Sequence, residues 1–185
     1  MADNALVAAI RKCARLLASD PKNVCWGIAL GGLIAALLVT LVSRPMPLLV
    51  WNATLSAPIG LYAVDPWRPV EVGAMVVAWI PSRWRKFAEG RRYLPEAVPA
   101  VKRVAAGTGD RVCARGLTIF INGRPMAQRL ARDGAGRPMP AWTGCFVLDS
   151  GHVFLLMPAE RSFDGRYFGV TRRTDLLGRA IPLWT

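Results

Sequence analysis

Residues 24–42 read VCWGIALGGLIAALLVTLV, without one charged side chain. About 20 apolar residues rising 1.5 Å each span the hydrocarbon of a bilayer. This run constrains the chain more than any other feature, because it separates a short basic head from one long remainder. A helix buried in a protein core is the competing reading, but core helices of this length usually carry a polar face. A cleavable export signal is a second, but its apolar region is about 7–15 residues long. The run therefore predicts an uncleaved transmembrane anchor over 24–43, between an N-terminal segment, 1–23, and a domain, 44–185.

The flanking charges orient that anchor. Arg11, Lys12, Arg15 and Lys22 precede it, and Arg44 alone follows before Trp51. The excess of basic residues on the cytoplasmic side then places the N-terminus in the cytoplasm and 44–185 outside. Residues 5–18, ALVAAIRKCARLLA, have helical periodicity with one basic face, as expected of a short amphipathic helix on the inner leaflet. Membrane lipid is thus an expected partner. The net charge of +12 also suits nucleic acid. However, the basic residues are scattered among aromatics and prolines rather than gathered in a stripe, which argues against that partner.

The exported part shows little helical periodicity. Short apolar runs (GLYAV, AMVVAWI, LTIFI, CFVLD, VFLLM) are separated by turn signals. Asn122-Gly123, between two such runs, predicts a β-hairpin. The best helix outside the membrane is RWRKFAEGRRYL, 83–94. The expectation is a mainly β, antiparallel domain with one or two short helices. Cys113 and Cys145 lie in it, each at a predicted strand edge, in a compartment that permits disulfides. A bridge between them would add about 3–4 kcal/mol on loop-closure entropy; two buried thiols are the other reading. Cys13 and Cys25 fall in or near the cytoplasm and are expected to be reduced. No metal-ligand spacing and no cofactor motif is present.

Groups able to move a proton are few. His152 is the single histidine, at a turn entering a strand, and no spacing places it in a serine triad. Of the 24 basic residues only four are lysines, and of these Lys86 and Lys102 are outside the membrane. Lys86 sits in a solvated cationic stretch. Lys102, in AVPAVKRVAAGTGD, would share a strand face with Ala100 and Val104. An ordinary lysine is neutral at pH 7 about once in 2,500 molecules. Burial lowers a lysine pKa by up to about 3–5 units, enough to supply a neutral amine able to deprotonate a serine. A snorkelling surface lysine is the plainer alternative. Trp51, Trp67, Trp79 and Trp84 are candidates either for the membrane interface or for the core.

Three elements occur in order behind the anchor: NATLSAPIGLY at 52–62, KRVAAGTGDRV at 102–112, and ERSFDGRYFGV at 160–170, followed by GRAIPLW. Together they resemble the serine signal peptidases, and within them the TraF-type pilin-processing peptidases of conjugative transfer. The resemblance covers nearly the whole exported part. It implies Ser56, in a Ser-x-Pro arrangement, as nucleophile and Lys102 as general base. It implies Thr54 and the Ser56 backbone N–H as oxyanion donors. Ser162 would aim the lysine, and Asp164 with Arg166 would brace the site. The TraF-like pattern reads Ser-Phe-Asp-Ser-Arg-Tyr-Phe-Gly, whereas Gly165 stands here in place of the second serine. The implied substrate is a pilin precursor or similar exported protein with a small residue before the scissile bond, and the outcome is hydrolysis or cyclisation. A general leader peptidase and a non-enzymatic assembly protein are the alternatives. SAPIGLY argues against the first, since leader peptidases more often have Met after the serine and Thr after the proline.

Overall fold

The computed structural model describes residues 21–43 and 46–185. The helix expected at 5–18, and Cys13, lie outside the described residues. Pro21–Ser43 forms helix α1, which contains the apolar run. Its side chains from Trp26 to Val39 are largely exposed, among them Trp26, Ile28, Leu33 and Leu38. They are described without a break only over 24–39, and among the described residues no helix is long and apolar enough to cross a membrane.

The remaining chain forms a separate unit, Pro47–Thr185. Its strands are β1 (Leu49–Asn52), β2 (Gly60–Asp65), β3 (Met75–Ala78), β4 (Ala100–Ala106), β5 (Arg111–Arg115), β6 (Thr118–Ile121), β7 (Arg124–Gln128), β8 (Gly144–Val147), β9 (His152–Leu155), β10 (Thr171–Arg172) and β11 (Leu176–Trp184). Helix α2 spans Ser82–Gly90 and the single turn α3 spans Gly165–Phe168. The expected helix at 83–94 therefore ends four residues early: Gly90 closes it, and Arg92 lies in the left-handed region at φ 59°. Glycine costs about 1 kcal/mol in a helix interior, so the chain turns there.

Two antiparallel sheets result. One has seven strands in the order β1-β2-β11-β3-β4-β9-β10, and the other four, β7-β6-β5-β8. The architecture is thus mainly β with short helices. The C-terminal strand β11 inserts between β2 and β3, pairing Ala180 with Val64 and Arg179 with Val76. Asn122-Gly123 turns β6 into β7, with both residues at positive φ, as a two-residue hairpin requires. Cys113 and Cys145 stand opposite each other on β5 and β8 and are joined by a disulfide.

Alternation explains the core. On β4, Lys102, Val104 and Ala106 are buried while Arg103 is exposed. Val50, Tyr62, Val64, Val77, Val101 and Met157 form one cluster. Val112, Ile119, Phe154 and Leu156 form a second, which ties the four-stranded sheet to the seven-stranded one. Under α2, Phe87, Tyr93, Phe163 and Tyr167 build an aromatic cluster in which Phe163 stacks on Phe87 and Tyr167. Trp84 packs in that cluster, and Trp79 lies under the Arg85 guanidinium, so both belong to the body of the domain. Trp51 and Trp67 remain exposed.

Candidate active site

The site begins where β1 ends. Asn52 is the last residue of β1 and is buried, although its side chain is polar. Its Oδ1 accepts from the Thr54 backbone N–H at 3.3 Å and from Thr54 Oγ1 at 2.8 Å. Its Nδ2 donates toward the carbonyl oxygens of Thr54, Ala57 and Pro58 at 3.0–3.1 Å. The Tyr62 hydroxyl also donates to Pro58 O, at 2.8 Å. These bonds satisfy the backbone of an otherwise irregular turn, as buried polar groups require. They leave Ser56 at its crest, partly exposed. Gly60 opens β2, and a Cβ there would collide with the Trp184 carbonyl on β11.

Lys102 reaches the same point from β4. Its Nζ is 3.2 Å from Ser56 Oγ and 2.9 Å from Ser162 Oγ. The lysine is 5% exposed. Burial lowers its pKa to about 8, while Asp164 pulls it up and Arg166 pushes it further down. A pKa near 8 leaves roughly one amine in ten neutral at pH 7. Lys102 and Ser162 come from segments far from the Ser56 turn and meet it within hydrogen-bonding distance, and within the turn Thr54 Oγ1 is 3.0 Å from Ser56 Oγ.

Asp164 and Arg166 hold the loop that carries Ser162. Asp164 caps α3, accepting from the Arg166 N–H at 3.2 Å, and also accepts from the Met157 N–H at 3.0 Å. Its carboxylate pairs with the Arg166 guanidinium at 2.9 Å, both side chains being almost fully buried. The remaining guanidinium donors go to the carbonyls of Met157, Glu160 and Gln128. A buried ion pair survives only when its other donors and acceptors are satisfied. Here that satisfaction fixes both ends of the 157–162 loop and joins it to β7. Gly165 has its own reason: a Cβ would stand 2.6 Å from Leu155 O and 2.8 Å from the Phe154 ring. The hydroxyl that the TraF-like pattern has at this position is therefore replaced by close packing of α3 on β9.

A cavity of about 820 Å³ opens beside Ser56 and Lys102. Its wall is mainly apolar, with Leu94, Val98, Val101, Leu130 and Met139 among its residues. Two acidic residues, Asp133 and Glu160, also line it, and sequence reading missed Asp133. Asp133 accepts from the Tyr93 hydroxyl at 2.6 Å, from Arg137 Nε at 2.7 Å and from Arg91 Nη1 at 3.1 Å, so its carboxyl is held well below the usual range. The cluster latches the 130–139 loop to the chain after α2. Asn52 was missed too, although an Asn two residues before Thr54 is the pattern of an Asx turn. His152 is elsewhere, at the start of β9, hydrogen-bonded to Asp149 at 2.6 Å and to no serine. Lys86 is exposed on α2. Among the described residues no cluster of His, Cys, Asp or Glu is placed to hold a metal ion.

The site thus sets a buried lysine amine against a serine hydroxyl on an antiparallel β scaffold. The family model for signal peptidase, peptidase S26, matches residues 22–184, and the chain belongs to that family. Its relatives there are of the TraF type. A plasmid transfer protein TraF of Escherichia coli is 32% identical over 176 residues, covering 89% of this chain and 97% of that protein. A probable conjugal transfer protein TraF of Sinorhizobium fredii is 36% identical over 145 residues, covering 72% and 76%. Among solved structures, a signal peptidase I of Enterococcus faecalis aligns with a TM-score of 0.36 at 17% identity, covering 62% of this chain and 98% of that one.

Proposed function

We propose that this chain is a membrane-anchored serine endopeptidase that processes an exported pilin-like precursor for conjugative transfer. The observation that carries this reading is the buried Lys102 amine, 3.2 Å from Ser56 Oγ and aimed by Ser162. Neutral Lys102 accepts the Ser56 proton through its lone pair while an N–H donates to Ser162 Oγ. Ser56 Oγ then attacks the carbonyl carbon before the scissile bond. Negative charge develops on the carbonyl oxygen, where the Thr54 hydroxyl and the Ser56 N–H are the donors; one such donor is worth about 10²–10³ in rate. Collapse of the adduct breaks the C–N bond, and the lysine ammonium gives its proton to the leaving nitrogen. The same lysine then takes a proton from the water or amine that attacks the ester, giving a hydrolysed or a cyclised product.

The surroundings suit such a substrate. The largely apolar cavity wall suits uncharged side chains before the scissile bond, and the family resemblance favours small ones there. Leu49, Trp51, Leu55, Leu183 and Trp184 are exposed on the β unit around the turn of Ser56, and the Trp51 and Trp184 rings lie 5.7 Å apart. Aromatic and aliphatic groups so placed favour a membrane interface. With the apolar run at 24–43 as anchor, the unit would meet substrates leaving the bilayer on the periplasmic side. The names of the TraF relatives point to conjugation as the setting.

The test is co-expression with a conjugative pilin precursor. Ser56→Ala and Lys102→Ala are each expected to abolish processing while the protein still inserts. Processing that survives both changes overturns the dyad and favours a non-enzymatic assembly role. Mass spectrometry distinguishes the products, a cyclic one being lighter than the linear one by one water. Cleavage of general secretory precursors with equal efficiency would instead indicate a leader peptidase.

A further inference from the structure

The orientation of the Asn52 amide is decided by its neighbours. Three backbone carbonyls lie 3.0–3.1 Å from one of its two terminal atoms, and carbonyls only accept. That atom is therefore Nδ2, because an oxygen there would face three acceptors and lose every bond. Oδ1 is then the atom that faces Thr54, where it meets both the backbone N–H and the hydroxyl. Thr54 Oγ1 carries one proton and has two oxygen neighbours, Asn52 Oδ1 at 2.8 Å and Ser56 Oγ at 3.0 Å. Oδ1 cannot donate, so the bond to it uses the Thr54 proton. In the resting site Thr54 thus turns a lone pair, not its proton, toward Ser56.

We propose that Asn52 is a positioning residue for the acylation step that acts through Thr54: its Oδ1 fixes the Thr54 hydroxyl and holds its proton until a negative oxygen forms on the substrate. The inference rests on the Ser56–Lys102 reading above. The exchange is balanced by ordinary hydrogen-bond strengths. Leaving a neutral amide oxygen forfeits a bond of common strength, whereas an anionic oxygen offers one roughly twice as strong. Before charge develops the proton stays with Asn52, so the Thr54 donor stabilises the transition state more than the bound substrate. Such selective stabilisation raises kcat and leaves KM little changed. A purely structural role for Asn52 would predict losses independent of Thr54.

The experiment is a double-mutant comparison in the full-length, detergent-solubilised protein acting on a purified conjugative pilin precursor. Thr54→Val is expected to lower kcat by about 10²-fold with KM within about 2-fold, the effect of one oxyanion donor. Asn52→Ala is expected to lower kcat at least about 10-fold, and the double variant to be little worse than the poorer single one, since groups acting as a unit are non-additive. Thr54→Ser, which keeps the hydroxyl, is expected to retain most of the rate. If Asn52→Ala does not fold, Asn52→Ser carries the same comparison, since a serine hydroxyl can close the same short turn on the Thr54 N–H. Losses that multiply in the double variant, or a wild-type kcat in the Asn52 variant, overturn the proposal. Ser56→Ala, run alongside, separates the two levels. Processing without Ser56 removes the dyad reading and this inference with it, whereas its loss together with multiplicative Asn52 and Thr54 effects removes this inference alone.

Discussion

The pKa of Lys102 predicts a characteristic pH dependence for the proposed reaction. The fall from the ordinary 10.5 to about 8 has burial as its main cause and corresponds to about 3 kcal/mol of preference for the neutral amine. If neutral Lys102 is the base, kcat/KM follows its neutral fraction in the free protein. That fraction is about one in eleven at pH 7, one half at pH 8 and ten in eleven at pH 9, for a pKa of about 8. The rate should rise about 5-fold from pH 7 to 8, less than about 2-fold from 8 to 9, and then level off. An unburied amine would instead give a rise of about 10-fold per unit up to pH 10. The assay is kcat/KM for precursor processing by the full-length protein in micelles between pH 6 and 10. A log-linear climb through pH 10, or a flat profile from pH 6, would refute the argument that desolvation makes the base. The same shift acts on stability with a definite sign. Between about pH 8 and 10.5 the unfolded lysine binds a proton that the folded one does not, so stability rises with pH across that window. Below pH 8 the full cost, about 3 kcal/mol, is present.

Other perturbations separate the supporting parts. Ser162→Ala removes the hydroxyl 2.9 Å from Lys102 Nζ and should lower kcat by about 10- to 100-fold through loss of aim, without a comparable change in Tm. Asp164→Asn leaves Arg166 as an unpaired buried cation and should destabilise by about 3–5 kcal/mol in urea unfolding. Because the Asp164 charge raises the Lys102 pKa, the inflection of the rate profile should also move to lower pH in that variant. Gly165→Ala forces a methyl against Leu155 O and the Phe154 ring and should cost about 1–3 kcal/mol, read as a lower Tm. Replacing Cys113 and Cys145 by serine opens a link across 32 positions and should cost about 3–4 kcal/mol; reductant should destabilise the native protein and leave the variant unchanged.

Several features were legible because they depend on local chemistry. The Asn122-Gly123 turn needs two residues at positive φ, and few pairs other than Asn-Gly supply them. The scarcity of lysine singled out Lys102, and alternation along its strand offered burial as one of two readings. The apolar stretch at 24–43 falls within helix α1, and its length and lack of charge are properties of the run itself. The helix after Pro81 was visible, but its end was not, because Gly90 and a left-handed Arg92 stop it before the basic residues do.

Contacts between distant segments were not legible in this way. Nothing local sends β11 between β2 and β3, or brings Asp133 to Tyr93 and Arg91 across the cavity wall. Asn52 looks like a linker residue in sequence and becomes a buried bridge only when the turn folds back over it. The sequence by itself determined which groups this protein has available for proton transfer: a serine in the Ser-x-Pro stretch after β1, and one lysine in an apolar strand. The tertiary structure alone decided that they meet and that the amine is buried, because a pKa is set by the neighbours that exclude water, and those come from distant stretches of the chain.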